Sequence, residues 1–410
     1  MTQADTTDRL TRCKAILADL VAFASVSADG NRAVTDYLAK ALTAAGASVE
    51  IMPDDTGLQA NLFATIGPDT GDGIILSGHT DVVPVVDQPW TSDPFAMTEA
   101  DGRLYGRGTC DMKGFVAACV ALAPEFAARD LKRPVHFAFT HDEETGCFGA
   151  QRLTALLQSR GFHAQGAIIG EPSLMQVIDG HKGCYEYTTH VVGLEGHGSS
   201  PDLGVNAVEY AARIALKLTA LREDLKARAP ADCPFDPPHS TLNIGALRGG
   251  QVHNIIAGTA RIDWEMRPVQ VSDADFVKAE LAAFVDQLRE QMQTIHPEAD
   301  ITTDIVAEVV GLAPELVNPA RALAMSLTGA NGTGLVPFGT EAGLFQSIGI
   351  ASVICGPGSI AQAHKPDEYV EIEQLARCLD MLARLGNALE HNLRDTHDKL
   401  IGTLKNTSDR

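Results

Sequence analysis

The sequence predicts an α/β chain with a mainly parallel central sheet, interrupted by an inserted α+β module of ferredoxin-like order. Three observations carry this. Helix-period stretches alternate with short apolar runs up to about Gly180, and again after Gly311. Between those points the strands alternate apolar and polar residues, as a sheet with one wet face does. Finally, acidic and histidine clusters stand at the ends of predicted strands in the outer segments, where open α/β sheets place their functional crevice. At 410 residues the chain also exceeds the roughly 250–300 residues that one hydrophobic core supports. Two domains are expected: residues 1–181 with 311–410, and the insert 182–310.

The elements follow in order. Helix-period patterns cover 10–23 and 34–45, the second stopped by Gly46. The short runs SVEIM, NLFATIG and GIILSG read as strands. GFVAACVALAPEFAA is helical, PVHFAFT a buried strand, GAQRLTALLQSRG helical and AIIG a strand. In the insert, CYEYTTHVVGL is a strand and 207–221 a helix. A Pro-rich loop, APADCPFDPPHS, precedes strands at STLNIGALRGG and TARIDWEMRP. An amphipathic helix then covers about 273–293, and ADITTDIVAEV closes the module as a strand. The order β-α-β-β-α-β is the ferredoxin-like one. After it come a helix at 319–327, a strand at ASVICG and a last helix from 371 to about Asn392.

Composition narrows the function. Lys and Arg number 32 against 53 Asp and Glu, a formal charge of −21. That balance disfavours phosphate backbones and anionic lipid as partners, so neither nucleic acid nor membrane is expected. Apolar residues make up 45%, which argues against disorder. The opening MTQADTTDRL is acidic and no apolar run reaches about 18 residues, so neither a secretory signal nor a membrane span is expected. The eight cysteines form no C-x-x-C pair and read as free thiols of a cytoplasmic protein.

The candidate chemistry lies at the strand ends. GIILSGHTDVVP carries His79 and Asp81, GRGTCDMKG carries Asp111, HFAFTHDEETG carries Glu143 and Glu144, and AIIGEP carries Glu171. A fifth group, His364 in GPGSIAQAHKPDEY, follows ASVICG. Singly these have ordinary readings: Asp111 as a helix cap, the Glu pair as a solvated loop, Glu171 as turn chemistry, His364 as an exposed loop residue. Jointly, imidazoles and carboxylates without thiolates suit a catalytic divalent ion such as zinc. The surplus of carboxylates suits two ions sharing one of them. His79 and Asp81 are two apart at a strand end, so Asp81 is expected to accept the second N–H of His79. Of the adjacent pair, one Glu can bind metal while the other stays free as a base.

Taken together, GHTDVVP, GRGTCDMKGFVAA, THDEETGCFGA, GEPS, GHGSSPDLGVNA and GPGSIAQAHKPDEY resemble the M20 peptidase family of aminoacylase- and carboxypeptidase-type dinuclear zinc hydrolases. The resemblance spans nearly the whole chain. Within the family, GHGSSPDLGVNA, TLNIGALRGG, RPV, GTEAG and GPGSIAQAHKPDEY most resemble the acetylornithine deacetylase branch. It implies a zinc-peptidase-like catalytic domain with the insert as lid and dimerisation domain. It implies two Zn²⁺ per subunit, with Co²⁺ or Mn²⁺ as substitutes. Asp111 would bridge them, with His79 and Glu171 completing one ion and Glu144 and His364 the other. Glu143 would be the general base and Asp81 would orient His79. His197, from a partner's lid, would face the oxyanion. Asn254 and Arg267 would contact the substrate's carboxylate side, and Thr340, Glu341 and Ser359 would line its pocket. Gly339 departs from the Cys often found before that Thr-Glu pair.

The implied reaction removes the acyl group of an N-acyl-L-amino acid, most simply N2-acetyl-L-ornithine in arginine biosynthesis. Glu143 would take a proton from a water acidified by the two ions and return it to the leaving amine. A homodimer is implied, since a lid that serves its neighbour cannot complete its own site. The alternatives are a succinyl-diaminopimelate desuccinylase-like amidase, another N-acyl-amino-acid deacylase or a dipeptidase. A non-catalytic zinc-binding module is more remote, because it would leave Glu143 without a task.

Overall fold

The computed structural model describes residues 3–391, which fall into two compact units. The first comprises Met1–Asp179, Pro314–Gly334 and Leu344–Arg410, the second Gly180–Ala313 and Leu335–Gly343. Segment 335–343, expected with the outer domain, thus groups with the insert. Residues 1–2 and 392–410, including the expected helix end at Asn392, lie outside the described residues.

In the first unit the chain runs through α1 (Gln3–Ala22), α2 (Arg32–Ala44), β1 (Ser48–Pro53), β2 (Ala60–Ile66), β3 (Ile74–His79), the short β4 (Thr98–Ala100) and β5 (Arg103–Tyr105), then α3 (Lys113–Ala127), β6 (Val135–Thr140), α4 (Phe148–Ser159) and β7 (Gly166–Pro172); β8 (Ile178–His181) begins in the first unit and ends in the second. The second unit contributes β9 (Cys184–Val192), β10 (Gly196–His197), α5 (Ala207–Ala227), β11 (Thr241–Gly249), β12 (Ile255–Ile256), β13 (Thr259–Arg267), α6 (Val271–Gln293) and β14 (Asp300–Val309). The chain ends through α7 (Pro319–Thr328), β15 (Gly334–Val336), α8 (Ala342–Ser347), β16 (Ser352–Gly356), β17 (Tyr369–Glu371) and α9 (Ile372–Leu389).

The main sheet has the order β1-β2-β6-β3-β7-β16-β8-β15. Its middle is parallel, β3 pairing with β6 and β7, and β7 with β16, while β1, β2 and β8 join antiparallel. The four parallel strands are buried along their whole length, which explains their unbroken apolar runs. Helix α3 is apolar nearly all round because it too is buried, with Phe115, Val116, Cys119 and Leu122 in the core. His79 ends β3, Glu171 lies in β7, and the loops after β6 and β16 carry Glu143, Glu144 and His364. The candidate groups therefore gather at the carboxyl ends of adjacent parallel strands.

Gly170 sets the seat of α3 beside Glu171. A Cβ there would lie 1.9 Å from the ring of Phe115. Only a residue without a side chain lets that ring rest on the β7 backbone. Gly170→Ala must push α3 away or displace β7, and overpacking of this kind costs about 1–3 kcal/mol or more. A clear drop in melting temperature is expected; an unchanged melt would mean the ring has room the structure does not show.

The second unit builds its sheet in the order β11-β13-β9-β14, with every neighbouring pair antiparallel. With its helices between, this is the ferredoxin-like topology. Its own core joins Ile214, Leu218 and Leu221 of α5 and Val277, Leu281 and Leu288 of α6, at helical spacing. They pack with Tyr187 and Trp264, whose rings stack with centroids 4.3 Å apart. Among the described residues no helix is long and apolar enough to cross a membrane. No disulfide joins any of the eight cysteines.

Candidate metal centre

Asp111 sits just before α3, almost fully buried, with its two carboxylate oxygens facing different histidines. Oδ1 lies 3.0 Å from His79 Nε2, and Oδ2 lies 3.4 Å from His364 Nε2. His364 Nε2 is also 2.9 Å from Glu144 Oε2, and His79 Nε2 is 3.8 Å from Glu171 Oε1. The structure thus brings the five expected ligands into one cluster, with a carboxylate between two imidazoles. Ligand atoms of His79, Asp111 and Glu144 lie within 4.8 Å of one another, and so do those of His79, Glu143 and Glu171. Neither trio reproduces the expected division, and Glu143, expected to stand apart, approaches as closely as a ligand would.

The expected contact between the Asp81 carboxylate and His79 is replaced by a main-chain one. His79 Nδ1 lies 2.9 Å from the Asp81 carbonyl oxygen, while Asp81 Oδ1 is 3.6 Å away. With Nδ1 donating to that carbonyl, Nε2 is turned toward Asp111 and Glu171; without a cation it shares a proton with Asp111, and on losing that proton it would offer its lone pair to a metal. β3 ends at His79, so the two-residue alternation does not extend to Asp81. Its carboxylate turns instead to the neighbouring loop. Oδ1 accepts the Glu143 N–H at 3.2 Å; Oδ2 accepts the Glu144 N–H at 3.3 Å and the Ser27 hydroxyl at 2.7 Å. Asp81 therefore anchors the Glu143–Glu144 pair. The Cys147 thiol reaches Glu143 Oε1 at 3.4 Å.

Burial dominates the electrostatics. It pushes Glu143 up to about 8 and Glu144 to about 7, aided by the carboxylates around them and opposed by His79 and, for Glu144, His364. Glu171 is raised well above the carboxylate range by burial and by Asp111 and Glu143. Asp111 alone moves down: burial would raise it, but its contacts with His364 and His79 prevail. Those contacts and Glu144 raise His364 to about 10. His79 is also raised, the Asp111 bond and nearby carboxylates outweighing burial.

Four tests of chemistry agree that a divalent cation fits. The donors are nitrogen and oxygen only, all but the half-exposed His364 are largely buried, the carboxylates repel one another, and Glu171 Oε1 has no hydrogen-bond partner. A pH dependence follows. Glu143, Glu144 and His364 hold protons in the fold that the unfolded chain, at ordinary values of 4.5, 4.5 and 6.5, releases. Their contribution to stability is present below those values and is lost as pH rises through about 7–10. Chelated protein should melt lower at pH 9 than at pH 6, and added zinc should flatten the slope. Equal melts of chelated protein at the two pH values would contradict the cluster's burial.

The remaining candidates divide between the units. Ser359 is in the first; its hydroxyl caps a short 3₁₀ turn and its carbonyl accepts the Cys110 thiol at 3.3 Å. The second unit holds the rest. His197 is exposed, with Nδ1 2.7 Å from Ser199 Oγ, and Asn254 lies beside it through the Gly198 N–H at 2.8 Å. Arg267 is engaged with Glu265 Oε2 at 2.8 Å. Thr340 and Glu341 are fully buried, and Thr340 Oγ1 lies 3.1 Å from His181 Nε2. At Gly339 a Cβ would come to 3.1 Å from that of Cys184, so Cys184 crowds the space a side chain at 339 would need. Sequence reasoning missed Ser27, His181 and Glu368; only Glu368, four residues after His364 in HKPDEY, lay in a motif already marked.

Comparison with known proteins agrees with this architecture. Residues 75–388 match the model of "Peptidase family M20/M25/M40". An acetylornithine deacetylase of Myxococcus xanthus is 37% identical over 92% of this chain and 97% of its own. One from Proteus mirabilis is 33% identical over 89% of this chain and 94% of its own. An M20 family metallo-carboxypeptidase from Sulfolobus solfataricus superposes with a TM-score of 0.71 at 17% identity, covering 92% of this chain and 99% of that one. Human carnosine dipeptidase 1 gives a TM-score of 0.66 at 17% identity over 94% and 98% of the two chains. The chain belongs to peptidase family M20/M25/M40, a metal-dependent family, and is a hydrolase acting on amide bonds.

Proposed function

We propose that this chain removes the acyl group from an N-acyl-L-amino acid, with N2-acetyl-L-ornithine the preferred substrate and L-ornithine and acetate the products. The observation that carries the chemistry is Asp111, each oxygen turned to a different histidine beside a buried pair of glutamates. The substrate rests on the deacetylases that are similar over nearly the full chain. His79 and Glu171 would hold one divalent ion and Glu144 and His364 the other, with Asp111 common to both. Two such ions, zinc by the donor chemistry, would acidify a water and polarise the amide carbonyl. Glu143 takes the proton and returns it to the departing amine, a role suited to a carboxyl lifted by burial. Asp81 keeps its backbone in place. Arg267, released from Glu265, would grip the α-carboxylate with two N–H groups, with Asn254 beside it. Thr340, Glu341 and Ser359 would shape the pocket.

The second unit would serve as lid and dimerisation domain, its His197 facing the oxyanion of a partner's site. Support comes from the sheet's edges: β14 leaves Ile305 and Val306 exposed beside an unpaired ladder. The acidic, disulfide-free chain suits the cytoplasm. The test is free amine released by zinc-loaded protein from acetylornithine, N-acetylcitrulline, N-succinyl-diaminopimelate, N-acetylmethionine and a dipeptide, with and without chelator. Fastest chelator-sensitive release from acetylornithine is expected. Another best substrate would move the specificity elsewhere in the family, and no release would favour a binding module.

A further inference from the structure

We infer that Glu368, paired with Arg107, is a positioning residue that sets the geometry of the metal centre from behind. Both side chains are about 1% exposed and neither touches the candidate ligands' donor atoms. Glu368 Oε1 accepts the backbone N–H groups of Cys110 at 2.9 Å and of Asp111 itself at 3.0 Å. Its Oε2 accepts the Gly108 N–H at 3.1 Å and Arg107 Nη1 at 2.8 Å. One carboxylate thus gathers the loop that presents the central Asp111. Charge-assisted bonds of this kind, out of water, are the strong ones.

The same pair reaches the other histidine. Arg107 Nη1 donates to the Lys365 carbonyl at 3.2 Å, and Nη2 to Gln88 Oε1 at 2.5 Å. Gln88 Nε2 in turn donates to the carbonyl of His364 at 2.9 Å. His364 itself has φ 62°, a left-handed conformation that a residue with a side chain adopts only when its surroundings hold it there. The Gln88 bond is one such hold. The loop after β3, the loop before α3 and the loop of His364 are therefore fastened at one buried ion pair. A packing role alone would not require the bonds to end on the main chain of two ligand residues.

The inference rests on reading the cluster as a metal centre, and the experiment separates the two. Chelated wild type, Glu368→Gln and Gln88→Leu are titrated with Co²⁺, following visible absorption for affinity and stoichiometry, alongside kcat, KM and melting of the chelated proteins. Outer-sphere changes of this kind weaken metal binding by about 10–100-fold. Glu368→Gln should show such a loss, with an altered Co²⁺ spectrum and a lower kcat at similar KM. Gln88→Leu keeps the Arg107–Glu368 bond and removes the Gln88 bonds to Arg107 Nη2 and to the His364 carbonyl, so it should lower the melt only modestly and weaken one of the two ions several-fold. A folded Glu368→Gln with wild-type affinity and spectrum would overturn the inference. If Glu368→Gln does not fold, Gln88→Leu decides it, and unchanged binding of both ions overturns it. Wild type that takes up no Co²⁺ would overturn the metal-centre reading and this inference with it.

Discussion

Glu143→Gln is expected to cut turnover by about 10²–10⁴-fold, the range a positioned general base contributes, while metal uptake stays complete. The substitution keeps size and an acceptor for the Cys147 thiol, and it leaves untouched the Glu143 N–H that Asp81 holds. It removes only the proton-accepting carboxylate. The result matters because the structure sets Glu143 within ligand distance of His79 and Glu171. If Glu143 is a ligand rather than the base, the variant should lose metal along with activity. Parallel measurement of bound zinc and of amide hydrolysis separates the two, and near-normal turnover would remove Glu143 from the chemistry altogether. With cations bound, the base should titrate below the value of about 8 to which burial and neighbouring carboxylates lift it.

The second large effect is expected at Asp111. Asp111→Asn should weaken uptake of both ions, by at least the roughly 10–100-fold that changes one shell further out produce, and hydrolysis should fall to background. The reason is geometric, since one carboxylate lies between His79 and His364. The chelated variant offers a second readout. His364 is raised to about 10 first by its contact with Asp111 and then by Glu144. Losing the Asp111 charge should bring its ring titration, followed by NMR, back toward 6.5. A variant that still binds two ions tightly would rule out a shared ligand.

Much of this was legible along the chain, for reasons the structure makes plain. Wholly buried parallel strands must be apolar throughout, so VHFAFT and AIIG stand out, and the helix-period runs between them complete the α/β pattern. The insert announced itself by alternation, because an antiparallel sheet covered on one side keeps a polar face. His79, Glu144, Glu171 and His364 could be marked because they lie at or after strand ends, whereas Asp111, in the loop leading into α3, was marked by its motif and by the resemblance that assigned all five their roles. The division among them was less legible. Which carboxylate pairs with which imidazole depends on loop paths, and the reach of Glu143 toward His79 and Glu171 is set by the turn after β6. The grouping of 335–343 with the second unit was equally hidden, since nothing in a segment's own composition records which core it joins.

Local pattern therefore settled what local physics controls: burial along strands and helices, the absence of thiolate pairs, and the types of donor available at strand ends. Tertiary structure alone decided what depends on residues distant in the chain. Asp81 lost its alternation at the end of β3 and turned to the amides of Glu143 and Glu144, leaving its own carbonyl to orient His79. Glu368 found the Asp111 amide 257 positions away. A hydrogen bond between such partners costs chain entropy that only the rest of the fold recovers, so neither residue's neighbours in sequence carry a sign of it.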